Sequence, residues 1–349
     1  MHLEVTHLHQ RYAEKVVLEE LSFSLQNGDI ACLLGSSGSG KTTALRAIAG
    51  FEKSESGQVM LGNVTLSDKQ IFIPAHLRKI GMVFQDHALF PHLNVTNNIA
   101  FGLNALTRSE RQKRVDQLLE LIHLTDYAKA YPHELSGGQQ QRIALARSLA
   151  PKPKLLLLDE PFSSLDVELR ERLAREVREI LKFEGVTALI VTHDQHEAFA
   201  IADKIGIMHK GRIEQWDTPY SLYHAPKTRY VADFIGHGVF IKGVAKNDFT
   251  IETELGNHSD TQPHGFSTGE ILDVLIRPEN LSHEIEMGHN VTVQSKTFNG
   301  NDFIYTLMLP SGQTVVAKMP SLSHHYLEVG DIIKIRLNLE CLVVFRPNI

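Results

Sequence analysis

The sequence predicts an α/β domain carrying an inserted helical lobe, followed by a smaller all-β domain. Three observations predict it. The apolar run Ile30-Ala31-Cys32-Leu33-Leu34 leads straight into a glycine-rich loop and then into a helical pattern. Two later runs, Leu155-Leu156-Leu157-Leu158 and Thr187-Ala188-Leu189-Ile190-Val191, have the unbroken hydrophobicity of strands buried on both faces of a parallel sheet. Near Phe234-Ile235-Gly236 the helical periodicity stops, and short alternating segments divided by turn residues take over.

Composition bounds the function. At 349 residues the chain has room for two domains with separate cores. A net charge of −6, from 35 basic and 41 acidic residues, leaves no electrostatic footprint for wrapping nucleic acid, so no nucleic-acid partner is expected. No apolar stretch approaches the roughly 18 residues of a spanning helix, and a soluble chain that stays inside the cell is expected. The two cysteines, Cys32 and Cys341, fall in different predicted domains and suggest no disulfide framework. The 19 histidines are scattered without ligand spacing, which reads as solvated surface rather than a metal centre.

The loop after the first apolar run reads Gly35-Ser36-Ser37-Gly38-Ser39-Gly40-Lys41-Thr42-Thr43. The spacing G-x-x-x-x-G-K-T requires a chain that wraps a polyphosphate with backbone N–H groups, and glycine permits the close approach. Lys41 would reach the β- and γ-phosphates, and the Thr42 hydroxyl would face Mg²⁺. The positive end of the following helix, with Leu45, Ile48 and Ala49 as its apolar face, attracts the anion. Gly50 is placed to end that helix. A flexible Gly/Ser turn would explain the glycines, but not the strand, the Lys-Thr pair and the helix around them.

Upstream, residues 3–34 read as short alternating strands with a turn at Gln26-Asn27-Gly28-Asp29. Tyr12 in this part either stacks on a base or fills a sheet face, and spacing does not separate the two. Downstream, residues 79–85 form an apolar strand ending on Gln85. At the carboxyl end of a strand in an open α/β sheet this amide can ligate a metal or orient water; otherwise it is a surface glutamine. Residues 94–150 turn helical. Ser109 with Gln112 reads as a capping box, and Val115, Leu118, Leu119 and Ile122 follow at helical spacing. The lobe ends in Leu135-Ser136-Gly137-Gly138-Gln139, feeding a helix with Ile143, Ala146 and Ala150 on one face. This is a second anion site or an ordinary Ser/Gly helix cap.

The strand at 155–158 runs into Asp159-Glu160. Asp159 suits holding Mg²⁺ through water and Glu160 suits polarising an attacking water; an acidic turn that caps the next segment is the other reading. A helix over 167–182 leads to the strand at 187–191 and Thr192-His193-Asp194. His193, Gln85 and Asp159 thus all fall at strand carboxyl ends. In the last part, strands at 291–293, 303–309, 332–337 and 342–345, with turns at Asn299-Gly300 and Ser311-Gly312, describe a small β-barrel-like domain. No catalytic cluster stands out in it, and His324-His325 is its candidate metal pair.

With these residues in place the chain resembles, over its whole length, the ATP-binding subunit of an ABC transporter of the importer type. Residues 35–43 match the Walker A loop, Gln85 the Q-loop glutamine and residues 135–139 the LSGGQ motif. Residues 155–160 match Walker B with its glutamate, Ser164-Leu165-Asp166 the D-loop and His193 the H-loop, while Tyr12 falls at the adenine-stacking aromatic. The resemblance implies a P-loop NTPase fold, with an ABC ATPase domain over 1–236, its helical subdomain at about 88–150, and a C-terminal OB-like, TOBE-like β-barrel over 237–349. It implies ATP and Mg²⁺ as cofactors, Thr42, Gln85 and Asp159 at the metal, and Lys41, Gln85, Glu160 and His193 in catalysis.

It further implies a head-to-tail homodimer in which each ATP lies between the Walker A loop of one subunit and the LSGGQ loop of the other. Ser136, Gly138 and Gln139, with Gly137 in the same loop, would reach the γ-phosphate in trans, and Asp166 would link the two sites. Transmembrane permease subunits would dock near residues 85–93, a periplasmic solute-binding protein would act indirectly, and the chain would sit on the cytoplasmic face of a bacterial inner membrane. Gly50-Phe51-Glu52-Lys53 and residues 78–103 look most like the ferric-iron import ATPases, and Ile276-Arg277-Pro278-Glu279 resembles the accessory barrel of such importers. Fe³⁺ is the implied cargo, with polyamine or sugar as alternatives. A soluble ABC mechanoenzyme acting on nucleic acid or ribosomes is the rival class; the paired cassettes or long coiled-coil insertions usual there are absent from this sequence.

Overall fold

The computed structural model describes residues 2–163 and 165–347. It forms two compact units, one ending at Pro219 and the other beginning at Tyr220. The first runs β1 (Leu3–Tyr12), β2 (Lys15–Leu25), β3 (Ile30–Leu34), α1 (Lys41–Ala49), β4 (Ser56–Leu61), β5 (Val64–Ser67), β6 (Ile80–Val83), α2 (Val95–Ala100), α3 (Arg108–Leu121), α4 (Gly137–Leu149), β7 (Leu155–Asp159), α5 (Val167–Glu184), β8 (Thr187–Thr192), α6 (Gln195–Ile201), β9 (Lys204–His209) and β10 (Arg212–Asp217).

Two sheets result. The order β2-β1-β4-β5 is antiparallel, whereas β10-β9-β3-β8-β7-β6 is parallel except at β10. Strands β3 and β8 are buried at every position and β7 at all but Asp159, which is why their sequences show no alternation. Leu3, Leu8, Leu21 and Leu25 of the antiparallel sheet share one core with Leu33, Leu45, Ile48, Leu157 and Val191. Each such buried aliphatic side chain contributes roughly 1.5–3 kcal/mol, so α1 is clamped between the two sheets by hydrophobic burial.

In the helical lobe the apolar faces of α3 and α4 are buried as their spacing requires, but the cap of α3 differs from the expected one. Thr107, not Ser109, begins the helix. Its Oγ1 accepts from Glu110 N at 3.3 Å, and Glu110 Oε2 accepts from Thr107 N at 3.0 Å. A carboxylate accepts an N–H more strongly than a glutamine amide does, so Thr-x-x-Glu prevails over the overlapping Ser-x-x-Gln.

The second unit continues α7 (Pro219–His224), α8 (Arg229–Phe234), β11 (Val239–Asn247), β12 (Thr250–Thr253), β13 (Gly256–Ser259), β14 (Ile271–Ile276), β15 (Leu281–Glu284), β16 (His289–Asn299), β17 (Asp302–Met308), β18 (Thr314–Pro320), α9 (Ser321–His324), β19 (Ile332–Leu337) and β20 (Val344–Phe345). Two five-stranded sheets, β13-β12-β11-β14-β20 and β15-β19-β16-β17-β18, enclose one core that includes Ile241, Val274, Val291, Leu307 and Ile335. The two units divide between Pro219 and Tyr220, ahead of the boundary expected after residue 236, and Arg277 and Asp273 hold the intervening helices. The buried Arg277 guanidinium donates to Ile235 O at 2.8 Å and Tyr223 O at 2.9 Å, and the Asp273 carboxylate accepts from Arg229. The two short helices are thereby fastened to the β domain. Among the described residues no helix is long and apolar enough to cross a membrane.

Candidate functional site

The parallel sheet sets β3, β8, β7 and β6 side by side, and the chain leaves all four at the same edge. Read across the sheet, these ends carry Lys41 and Thr42, then His193, then Asp159 with Glu160, then Gln85. Residues far apart in sequence therefore meet along one line.

The loop after β3 is fixed at its base by two glycines. Gly35 lies against β9, where a Cβ would fall 2.4 Å from Met208 O. Gly40 caps α1 with φ 102, and no side chain bonds to the first turn of that helix, which also lacks an acidic residue. The N–H groups and positive end of α1 thus face the mouth of the loop without an internal competitor. Ser36, Ser37 and Gly38 form an exposed crest, while Ser39 is buried and donates its N–H to Ser36 O at 3.2 Å. The Lys41 Nζ donates inside the loop to Gly35 O at 2.8 Å and Ser36 O at 3.0 Å. Burial holds its pKa below the ordinary lysine value, against the pull of Glu160 and Asp159.

The Thr42 hydroxyl donates to Asp159 Oδ1 at 3.3 Å and joins the ends of β3 and β7. Burial raises the pKa of Asp159, and the Thr42 hydrogen bond opposes the rise. A hydroxyl, a carboxylate and the Gln85 amide oxygen are hard oxygen donors, the set that suits Mg²⁺, and the free N–H array of α1 suits a polyphosphate. The residues present fit both groups.

Glu160 adopts φ 43 and donates its N–H to Val191 O at 2.9 Å, curling the end of β7 toward β8. Its Oε2 lies 3.2 Å from His193 Nδ1. The sequence puts both residues at strand ends, but their direct pairing follows only from the strand order. Ser163 escaped the sequence reading altogether. Its Oγ donates to Glu160 O at 3.0 Å and accepts from Gln85 Nε2 at 3.3 Å, bridging the ends of β7 and β6. A serine three residues after a functional carboxylate, free to bond back to the chain, was the available signal.

The remaining candidates are spread more widely. Tyr12 ends β1, is 44 % exposed and donates its hydroxyl to Glu52, so it does not fill a sheet core. The second glycine loop takes the form of a helix cap, with Ser136 Oγ accepting from Gln139 N at 3.4 Å and Gln139 Oε1 accepting from Ser136 N at 2.9 Å. Gly137 is exposed and Gly138 buried. Further along α4, Arg147 donates to Ala88 O at 2.7 Å and His87 O at 3.1 Å, tying this helix to the loop after Gln85. Asp166 caps α5 by accepting from Leu169 N at 2.9 Å; Ser164 of the expected D-loop lies outside the described residues. In the second unit the His324 ring stands 5.3 Å from that of His283 rather than pairing with His325. Among the described residues no group of three or more His, Cys, Asp or Glu is arranged to hold a metal.

Comparison with known proteins adds the relatives. The ABC transporter family matches residues 18–163, and the TOBE domain matches residues 274–345. The chain is 41% identical over 337 residues to the putrescine transport ATP-binding protein PotG of Escherichia coli (strain K12), covering 93% of this chain and 88% of that one. It is 38% identical over 342 residues to the Fe(3+) ions import ATP-binding protein FbpC 2 of Pectobacterium atrosepticum, covering 96% and 97%. Against the FbpC 2 of Haemophilus influenzae the identity is 43% over 287 residues, covering 80% and 79%. Among solved structures, the ATP-binding cassette MJ0796, a dimer in a post-hydrolysis state bound to ADP and Pi, aligns with a TM-score of 0.53 at 29% identity, covering 62% of this chain and 98% of that one.

Proposed function

This chain belongs to the ABC transporter ATP-binding subunits of the importer type, with a C-terminal TOBE domain, and from that premise we propose that it hydrolyses ATP to energise ferric-iron uptake. The observation that carries the site reading is the pair of bridges along the sheet edge, Thr42 to Asp159 and His193 to Glu160.

Residues 35–43 would wrap the β- and γ-phosphates with their N–H groups, and Lys41 would exchange the carbonyls of Gly35 and Ser36 for phosphate oxygens. Tyr12 would stack on the adenine. Thr42, Asp159 and Gln85 would hold Mg²⁺, whose charge offsets that of the phosphates. Glu160 would orient and polarise the attacking water, and His193 would hold the γ-phosphate from the same edge. Ser136, Gly137, Gly138 and Gln139 would act from a second subunit, with Asp166 linking the two sites. The dimeric state of MJ0796 supports that arrangement. Transmembrane permease subunits would dock near residues 85–93, placing the chain peripherally on the cytoplasmic face of the inner membrane, with a periplasmic solute-binding protein acting indirectly.

Fe³⁺ as cargo is supported by the identities of 38% and 43% with Fe(3+) import relatives. Putrescine is the second reading, supported by 41% identity with PotG. The deciding experiment measures uptake of labelled Fe³⁺ and putrescine in cells lacking the gene and complemented with wild type or Glu160→Gln. Fe³⁺ uptake restored by wild type alone is the expected result. Recovery of putrescine uptake instead would replace the cargo and leave the ATPase standing. Equal recovery with Glu160→Gln would remove Glu160 from its role.

A further inference from the structure

The segment leaving α1 reaches the tip of the β1-β2 hairpin in a way that none of the roles above uses. Gly50 ends α1 in the left-handed conformation, φ 86, and a Cβ there would run into the Arg78 guanidinium. That guanidinium donates to the last carbonyls of α1, Ala47 O and Ile48 O, both at 2.8 Å. From this fixed turn the chain sends Glu52 to the Tyr12 hydroxyl and Glu55 to Arg11, the latter through two contacts of 3.4 Å. Arg46, on the last turn of α1, lies 3.5 Å from Glu52 and holds its carboxylate. Tyr12 itself stands at a hairpin tip beside Ala13, φ 49, where the register with β2 shifts between Leu8 and Gln10 and again between Gln10 and Arg11. Backbone pairing alone fixes a ring poorly at such a place.

We propose that Glu52 is the positioning residue of the base platform: by accepting the Tyr12 hydroxyl it sets the ring at the mouth of the loop 35–43, so that the purine stacks on a surface ordered in advance. The proposal rests on the reading of Tyr12 as the adenine-stacking residue. Holding the ring before ATP arrives spares binding the loss of that side chain's rotational freedom. Burial and Glu52 together keep the phenol pKa above its ordinary value, so the hydroxyl stays a donor.

The test measures KM and kcat for ATP on the full chain, with inorganic triphosphate as a competitive ligand that has no base. Glu52→Ala is expected to raise KM for ATP about 3- to 10-fold, with kcat and triphosphate affinity unchanged. Tyr12→Phe should give the same rise, and the double variant no more than either. If Tyr12→Ala raises KM while Glu52→Ala and Tyr12→Phe do not, the tether is overturned and stacking stands. If Tyr12→Ala leaves KM unchanged, the stacking reading fails and the tether with it. Parallel weakening of ATP and triphosphate in Glu52→Ala would assign Glu52 to the stability of α1 and overturn the proposal.

Discussion

The loop before α1 and the loop before α4 have similar compositions and opposite states. Both are Ser/Gly turns feeding a helix N-terminus, yet α1 begins without a side-chain cap, whereas Ser136 and Gln139 cap α4 reciprocally. The first loop holds its lysine inside and leaves its amide groups to a ligand. The second spends its own side chains on its own backbone. An anion at the first site meets a prepared cradle, while an anion at the second must displace two hydrogen bonds. That asymmetry suits the division of labour proposed above, in which one loop binds nucleotide within the chain and the other engages only when a partner subunit brings a phosphate to it.

Six variants test the comparison. The largest effect is expected from Lys41→Ala, which should lower ATPase activity at least about 100-fold and weaken ATP binding; Glu160→Gln should lose turnover to a similar extent but keep binding, as nucleotide-binding assays would show. Next come the glycines. Gly40→Ala places a Cβ 2.6 Å from Val17 O at a positive φ, and should cost roughly 2–4 kcal/mol in thermal unfolding. Gly138→Ala meets only the side-chain tips of Leu173 at 3.1 Å and Leu169 at 3.8 Å inside a helix and should cost less than about 1 kcal/mol; equal losses would erase the contrast. Ser136→Ala should cost about 1 kcal/mol through the lost cap.

Asp159→Asn gives the smallest and most diagnostic change in stability. The folded-state pKa of Asp159 is raised by burial, so ionisation is harder in the folded than in the unfolded chain. The cost is absent at low pH, where the carboxyl is protonated in both states, grows as pH rises through the interval between the two pKa values, and persists above it. The variant should therefore unfold at a higher temperature than wild type at pH 7 and gain nothing at about pH 3. A stabilisation independent of pH would point to packing instead.

The phosphate loop was legible in the sequence because its contacts are local: Lys41 bonds to Gly35 and Ser36, within the motif itself. The buried strands were legible because a parallel sheet leaves no polar face. The second loop stayed ambiguous because a Ser-Gly-Gly-Gln turn serves a cap and an anion site equally well; the reciprocal bonds of Ser136 and Gln139 show the cap in place. The pairing of Glu160 with His193 and the Ser163 bridge to Gln85 depend on which strands are neighbours, which no local pattern states. The attachment of α7 and α8 to the β domain was hidden for the same reason. The helical pattern at 219–234 is visible, but the side chains that claim it, Asp273 and Arg277, lie in the β domain.

Strand β3 pairs with β8 and β9 and has no earlier partner in its sheet. In the order of synthesis this means a wait. At about 5–20 residues per second, roughly ten to thirty seconds separate the emergence of β3 from that of β8. The antiparallel sheet β2-β1-β4-β5 is complete by Ser67, and its leucines share a core with Leu33, so the nascent chain has a cover for β3 long before the strand finds its neighbours. Limited proteolysis of ribosome-stalled chains should find β1, β2, β4 and β5 protected when synthesis halts after Ala150, and β3 protected only when it halts after Ile276, with β8 and β9 clear of the ribosome. Protection of β3 as well at the shorter length would mean that the antiparallel sheet shields the strand without its parallel neighbours.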